Sequence, residues 1–194
     1  MIRLKEKYQK EAIPAMKKDH GYKNVMAMPK IVKVVVNSCF GKDAATKTSQ
    51  EREKVAKNIA TDLSLITGQK AKIVKSKKSI AGFKLRGNID IAAVVTLRKN
   101  KMYEFLERLL YLTLPRSRDF QGLNSKGIDK KGNLTIGFKE HISFPEVITE
   151  KEKTIFGLEI TVVTNAKTKE EGLLLYRLLG FPIRAEKAKV VKTV

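Results

Sequence analysis

Few residues of this chain have the type and spacing that catalysis or metal binding requires. The two histidines, His20 and His141, lie far apart, and no carboxylate or serine stands at a spacing that would make a catalytic arrangement with either. Cys39 is the single cysteine, so no internal disulfide forms, and no paired histidine is identifiable for it. We therefore predict surface or structural roles for the histidines and a packed, unreactive Cys39. No enzymatic activity, metal site or cofactor is expected.

The segment Phe40-Gly41-Lys42-Asp43 contains the Gly-Lys pair of a phosphate-binding loop but not the rest of that motif. The first glycine would fall at Val36, and Asp43 stands where the motif needs Ser or Thr. A turn after a strand is therefore favoured over a nucleotide site.

The strongest chemical signal is a run of basic residues with no acidic residue among them. Residues 63–89 contain no Asp or Glu and seven basic residues, namely Lys70, Lys72, Lys75, Lys77, Lys78, Lys84 and Arg86. Small residues stand between the lysines, so the backbone has room to approach a phosphate chain. A merely solvated face is the alternative, and the lack of acidic residues favours contact with nucleic acid.

The composition of the whole chain agrees with a folded protein that binds a polyanion. Its 194 residues include 40 Lys or Arg and 20 Asp or Glu, a formal charge of +20, and 42% of them are hydrophobic. No apolar run approaches the roughly 18 residues of a membrane span, and no secretory signal is visible, so we expect a cytoplasmic protein. RNA is favoured over DNA because neither helix-turn-helix spacing nor a zinc finger is present.

Composition and motifs leave three classes of protein open: a generic basic RNA-binding protein, an enzyme acting on RNA, and a peripheral protein on an anionic membrane surface. The enzyme lacks any acid, base or metal arrangement that the sequence reveals. The membrane protein needs an amphipathic helix with a lysine-rich polar face, and the helix predicted at residues 102–112 has Glu104 and Glu107 instead.

Hydrophobic spacing predicts four helices, at residues 2–18, 48–68, 102–112 and 168–179. A Thr followed three residues later by Glu begins the second and the fourth. Pro14 should kink or interrupt the first helix, and Pro115 should block continuation of the third.

Strands are predicted at residues 31–37, 69–75, 89–97, 134–138 and 158–162, with a basic loop at 76–87. Strands and helices do not alternate strictly. The predicted fold is therefore α+β, a single domain with a largely antiparallel sheet and helices packed on one face. We expect this domain over residues 1–184 and a basic C-terminal tail over 185–194.

Several motifs, in order along the chain, carry a resemblance to a known family. They are Ile66-Thr67-Gly68-Gln69-Lys70, Lys75-Ser76-Lys77-Lys78-Ser79-Ile80-Ala81-Gly82-Phe83-Lys84, Val95-Thr96-Leu97-Arg98, the segment from Leu114 to Leu123, Phe144-Pro145-Glu146 and Phe181-Pro182. Over roughly residues 2–184 the chain resembles the large-subunit ribosomal proteins that bind 5S rRNA.

The resemblance implies a protein of the central protuberance that helps attach 5S rRNA to the large subunit, beside 23S rRNA and neighbouring ribosomal proteins. The polar 5S rRNA contacts of the family correspond to Asn37, Gln69 and Thr96. These residues fall at ends of predicted strands, where a cluster on one sheet face would recognise RNA by shape and hydroxyl contacts.

Two further contacts are implied by the resemblance. The basic segment from Lys75 to Phe83 is similar to the family's loop that reaches the elbow of P-site tRNA, which implies tRNA contacts at Lys75, Ser76, Lys77, Lys78, Ser79 and Gly82. The acidic stretch, around Pro145 to Gly157, is similar to the part that forms an inter-subunit bridge with a small-subunit head protein, which implies bridge residues Glu146, Glu150 and Glu152. Residues 140–159 hold five Glu against two Lys, a net charge of −3, which suits a basic protein partner.

One position departs from the family's pattern. Where the family usually has Asn-Met-Gly-x-Gly, this chain has Asn37-Ser38-Cys39-Phe40-Gly41, so Cys39 replaces a glycine. If that glycine were needed at a positive φ angle, the local turn would have to differ here.

Overall fold

Five strands form one sheet in the order β2-β3-β1-β5-β4, with every neighbouring pair antiparallel. The computed structural model describes residues 3–22, 24–41, 47–83, 85–147 and 155–184. The strands are β1 (Ile31–Cys39), β2 (Lys72–Lys75), β3 (Asp90–Leu97), β4 (Leu134–Phe138) and β5 (Leu158–Thr164).

Four main helical segments accompany the sheet in the described ranges. They are α1 (Leu4–Lys7, Tyr8–Ala12 and Ile13–His20), α2 (Ser49–Thr67), α3 (Lys99–Arg108, Leu109–Thr113 and Leu114–Arg116) and α4 (Lys169–Leu179). The predicted α+β class and antiparallel sheet are confirmed, and the elements follow the predicted order. The strands differ from prediction by up to three residues at their ends.

The helices cover one face of the sheet and bury its apolar side chains. Val34 and Val36 of β1 lie in register with Leu97 and Val95 of β3, and all four are at most 2% exposed. The helices contribute apolar side chains to the same core, among them Leu4, Met16, Ile59, Leu63, Phe105, Leu106, Leu175 and Leu179. Because strand side chains alternate between faces, the other half of them lie on the opposite face, where most are half-buried or exposed and none of the described helices covers them.

Two prolines lie within helices, and each follows a π-helical turn. The Ile13 N–H donates to Tyr8 O just before Pro14, and the Leu114 N–H donates to Leu109 O just before Pro115. A proline ring clashes with the carbonyl four residues earlier, and the wider turn shifts the hydrogen-bond pattern away from that carbonyl. Pro14 thus changes the hydrogen bonding but α1 remains helical. The prediction for Pro115 is wrong, because α3 continues to Arg116.

The capping residues of α2 and α4 act as predicted. The Glu51 carboxylate accepts from the Thr48 backbone N–H at 3.1 Å, and the Thr168 hydroxyl accepts from the Glu171 N–H at 3.3 Å. The two helices end where Gly68 and Gly180 adopt φ angles of 65° and 92°. The Gly68 turn thus ends α2 at Thr67, two residues before Gln69.

Helix α4 approaches the turn before β4 at a contact between two glycines. A Cβ on Gly172 would lie 2.5 Å from the Gly132 Cα, so only glycine fits there. The close approach lets the Tyr176 hydroxyl donate to the carbonyls of Gly132 and Val162, at 3.0 and 3.1 Å. Tyr176 is completely buried, and this burial raises the pKa of its phenol above the ordinary value.

Candidate nucleic-acid interface

The face of the sheet opposite the helices carries half-buried and exposed side chains from all five strands. Register places Asn37 opposite Val94 and Glu159, and Val35 opposite Thr96 and Thr161. The other residues of this open face include Lys33, Lys72, Val74, Thr135, Gly137 and Val163. The open face therefore mixes β-branched side chains, hydroxyls and lysines with the carboxylate of Glu159.

The three residues predicted to contact 5S rRNA come together at the β1, β2 and β3 side of the open face. Asn37 and Thr96 are diagonal neighbours on paired strands, a relation that places Cα atoms roughly 7–8 Å apart. The Gln69 side-chain amide donates to the Thr96 carbonyl at 3.1 Å, which fixes Gln69 beside β3. All three residues are half-buried. Gln69 precedes β2, which begins at Lys72 and not at residue 69 as predicted.

Two of these side chains have a polar group that forms no hydrogen bond to any described residue. Asn37 Oδ1 is buried and has no hydrogen-bond partner there. The Thr96 hydroxyl likewise forms no hydrogen bond to any described residue, although its backbone is paired in the sheet. A buried amide oxygen without a partner costs roughly 1–3 kcal/mol, which a ligand that brings a donor would recover.

A shallow groove of about 530 Å³ runs beside this cluster, along β2 and the end of β3. Its walls include Gln69 and Thr96 together with three lysines, Lys70, Lys72 and Lys75. Lysines attract phosphate without demanding one geometry, whereas the amide and hydroxyl require directed hydrogen bonds. The groove therefore combines attraction for a polyanion with polar groups that can position it.

The basic loop between β2 and β3 has a defined shape, in which two predicted tRNA contacts have structural roles. The buried Ser76 hydroxyl donates to Arg86 O at 2.7 Å and accepts from the Ile89 N–H at 3.0 Å. The Ser79 hydroxyl accepts from the Gly87 N–H at 2.9 Å. Ser76 therefore closes the base of the loop, and Ser79 joins its two sides.

The remaining predicted tRNA contacts face solvent. Lys75, Lys77 and Lys78 are exposed, and Gly82 lies at the tip with open space around it. An exposed aromatic residue, Phe83, stands beside Gly82 with 74% of its surface accessible. Phe83 ends the segment that resembles the family's tRNA loop, but it is not among the predicted contacts, because one aromatic residue in a polar segment has no periodicity. Its position directly after Gly82 in a basic turn was the available signal.

The first predicted bridge residue is part of an ion pair. Glu146 Oε1 lies 3.1 Å from Arg108 Nε, and Arg108 Nη2 donates to Ile66 O at 2.9 Å. Arg108 thus connects the start of the acidic stretch to the last turn of α2. Glu150 and Glu152 lie outside the described residues, as does the predicted tail over 185–194.

The histidine and cysteine have environments that the sequence did not fully predict. His141 is buried and stacks on Phe156 with ring centroids 4.0 Å apart, which confirms a structural role. The side chain of His20 lies outside what the structure describes. Cys39 is exposed, so the prediction that it packs is wrong. Val34, Val36 and Ser38 point to the core, so Cys39 points to the open face.

Cys39 also does not need the conformational freedom of glycine. It pairs with Ala92 as the last residue of β1. In the described chain, positive φ angles of non-glycine residues occur only at Asn88, Lys99 and Asp119. The departure from the family's glycine is therefore accommodated in extended backbone.

Neither a metal site nor a membrane span is found in the described ranges. No group of three or more His, Cys, Asp or Glu side chains there has an arrangement that could hold a metal ion. No described helix has the length and apolar character needed to cross a membrane. The apolar residues of α3, among them Met102, Phe105 and Leu106, are buried in the core, so this face is not free to bind lipid.

An antiparallel sheet with one helix-covered face, an open polar face and a structured basic loop has the features of a small basic α+β protein that binds RNA. Comparison with known proteins specifies the class further. Residues 24–86 match the family model for ribosomal protein L5, and residues 90–183 match the model for the C-terminus of the same ribosomal protein family.

Bacterial relatives match along almost the whole chain. The large ribosomal subunit protein uL5 of Geobacter sp. (strain M21) is 50% identical over 184 residues, 95% of this chain and 99% of that protein. The protein of the same name from Clostridium acetobutylicum is 47% identical over 180 residues, 93% of this chain and 97% of that protein. The chain belongs to the ribosomal protein L5 family and is a non-enzymatic, structural constituent of the large ribosomal subunit.

Proposed function

We propose that this protein binds 5S rRNA on the open face of its sheet and attaches it to the large subunit, next to 23S rRNA and neighbouring ribosomal proteins. The observation that supports this most is the cluster of Asn37, Gln69 and Thr96 beside the lysine groove. The cluster has hydrogen-bonding groups unused by described residues, and it lies on the sheet face without helices.

The chemistry of the cluster suits RNA. A ribose 2′-hydroxyl is both a donor and an acceptor, so it can donate to Asn37 Oδ1 and exchange a hydrogen bond with the Thr96 hydroxyl. Lys70 and Lys72 of the groove neutralise the phosphates on either side. DNA lacks the 2′-hydroxyl and would leave these polar groups without partners.

The test is a binding titration of the full chain with 5S rRNA, with a DNA of the same sequence, and with an unrelated structured RNA of equal length, all at one salt concentration. We expect 5S rRNA to bind at least tenfold more tightly than either competitor. Equal affinity for the three nucleic acids would mean that the protein is a generic polyanion binder, which is the alternative favoured by charge alone.

We propose further that the basic loop contacts P-site tRNA. Lys75 is the last residue of β2, and Lys77 and Lys78 follow it on the loop. All three are exposed, and none of their side chains forms an ion pair with a described residue. Replacing all three with Gln should leave 5S rRNA binding within about tenfold (about 1.4 kcal/mol) and should speed tRNA release from the P site of assembled ribosomes. Loss of 5S binding with unchanged tRNA release would assign these lysines to the rRNA site.

The acidic stretch is proposed to meet a basic protein of the small-subunit head. Because Glu146 pairs with Arg108, we assign the anchoring of this stretch to Glu146 and the partner contact to Glu150 and Glu152. Replacing Glu150 and Glu152 with Lys should weaken association of the two subunits, measured by light scattering. The matched control is Glu104→Lys, an exposed position on α3 outside residues 140–159, which should leave association unchanged.

A further inference from the structure

The tip of the basic loop presents an apolar ring to solvent. Phe83 closes a short 3-10 turn, Ala81–Phe83, and is 74% exposed. Ile80, at the start of the turn, is 45% exposed. Fully burying a phenylalanine side chain is worth about 1.5–3 kcal/mol, and the fold leaves most of that stabilisation unused at this position. A single exposed apolar residue is ordinary on a protein surface, so exposure alone does not make Phe83 a contact residue.

The loop holds Phe83 outward in a defined structure. Ile80 and Leu85 exchange backbone hydrogen bonds of 2.8 and 3.1 Å across the tip, and the Phe83 N–H donates to Ile80 O at 3.3 Å. Below them, Ser79 joins the two sides of the loop, and Ser76 closes its base. Together these bonds form a small hairpin with Phe83 at its apex. Binding to an already ordered loop costs less conformational entropy than ordering it on contact.

The charges around the ring indicate what kind of partner it meets. Lys77, Lys78 and Arg86 are exposed on the same hairpin, and residues 63–89 contain no acidic residue. A partner must therefore be anionic and must also offer a flat apolar surface. A nucleobase attached to a phosphate chain has both properties, and every base has a face on which an aromatic ring can stack.

We infer that Phe83 is a stacking platform for an exposed base of the tRNA that the basic loop contacts. This inference rests on the proposed tRNA contact and adds a residue that none of the predicted contacts included. In it, the lysines supply the salt-dependent attraction, and Phe83 supplies a contact that is independent of salt and tolerant of base identity.

The test measures P-site tRNA release from ribosomes assembled with the full-length variants Phe83→Ala, Phe83→Leu and Phe83→Trp. We expect Ala and Leu to speed release about tenfold (about 1.4 kcal/mol), because Leu is apolar but cannot stack as a ring does. Trp should retain slow release. The matched control is Met26→Ala, which truncates an apolar side chain of similar exposure, 73%, in another turn. It should release tRNA as the parent does.

Salt dependence separates the inference from the proposed function. Phe83→Ala should shift the release rate at every salt concentration without changing its slope, whereas the triple lysine variant should reduce the slope. If the lysine variant releases tRNA faster and Phe83→Ala behaves as the parent, stacking is refuted and the tRNA contact stands. If both variants behave as the parent, the tRNA contact fails as well. If Leu retains tRNA as well as Phe, the contact is apolar packing and not stacking.

Discussion

Removing the hydroxyl of Thr96 while keeping its shape should weaken 5S rRNA binding and leave the fold intact. Thr96→Val replaces one hydroxyl with a methyl group of similar size on the open face. The backbone of Thr96 pairs with Val35, and its carbonyl accepts from Gln69, so both contacts remain available in the variant. The lost hydroxyl has no hydrogen bond within the described chain, so folding stability should change by less than about 0.5 kcal/mol.

The expected loss of affinity follows from the ribose hydroxyl of the RNA, which loses its hydrogen-bond partner in the variant. A ribose hydroxyl buried against valine has no partner for its hydrogen bond, which costs roughly 1–3 kcal/mol. At about 1.4 kcal/mol for each factor of ten, the dissociation constant should rise between about fivefold and about a hundredfold. Because no charge is removed, the slope of log affinity against log salt should stay the same.

The assay is a filter-binding titration with 5S rRNA at several salt concentrations, beside a urea denaturation curve for each protein. Thr61→Val is the matched control, because the Thr61 hydroxyl is exposed on α2, on the helix-covered side, where it donates to Lys57 O. It should bind as the parent does. If Thr96→Val and Asn37→Ala both fold normally and bind within twofold of the parent, the open face is not the 5S site.

Three other outcomes are expected. Affinity for 5S rRNA should fall steeply with salt, and Lys72→Gln in the groove should reduce the slope by about one; an unchanged slope would remove Lys72 from the contact. Tyr176→Phe should lower the free energy of unfolding by about 1 kcal/mol, measured by urea denaturation with an unchanged m-value. The variant removes the phenol hydroxyl that donates to Val162 O, whereas Gly132 O still accepts from the Thr164 hydroxyl. The free energy of unfolding should fall as pH rises from 10 towards 12, because burial raises the pKa of Tyr8 to about 12 from an unfolded value of 10.0, so unfolding releases its proton in this range. Tyr8→Phe should reduce this fall. An equal fall in that variant would contradict the assignment to Tyr8.

Most of the fold was predictable because its elements are specified by local patterns. The helix that begins after Thr48 and ends at Gly68 needs only a cap, an apolar stripe and a glycine, all of which are close in sequence. The alternation at Leu134, Ile136 and Phe138 likewise predicts both β4 and its buried face. The continuation of α3 through Pro115 was not predictable in this way, because it depends on a π turn that the apolar periodicity does not reveal.

Part of the candidate site was predictable from the sequence, and part of it required the tertiary structure. The residue motifs were sufficient to identify the family and the three polar residues, and charge alone identified the basic loop. Sequence alone did not reveal that Ser76 and Ser79 hold this loop together, that Glu146 pairs with Arg108, or that Phe83 is held outward. These properties depend on contacts between residues that are not adjacent in sequence, or on which side chains the fold leaves exposed.

The sequence by itself determined the strands, the helices, the basic charge and the family, because caps, periodicity and motifs act over a few neighbouring residues. Only the tertiary structure decided that Asn37, Gln69 and Thr96 share one surface. Their meeting requires β1 and β3 to pair in one register, since a shift of one residue would turn Asn37 towards the helices. That register is stabilised by the burial of Val34, Val36, Val95 and Leu97 on the opposite face, so the core fixes the geometry of the open face.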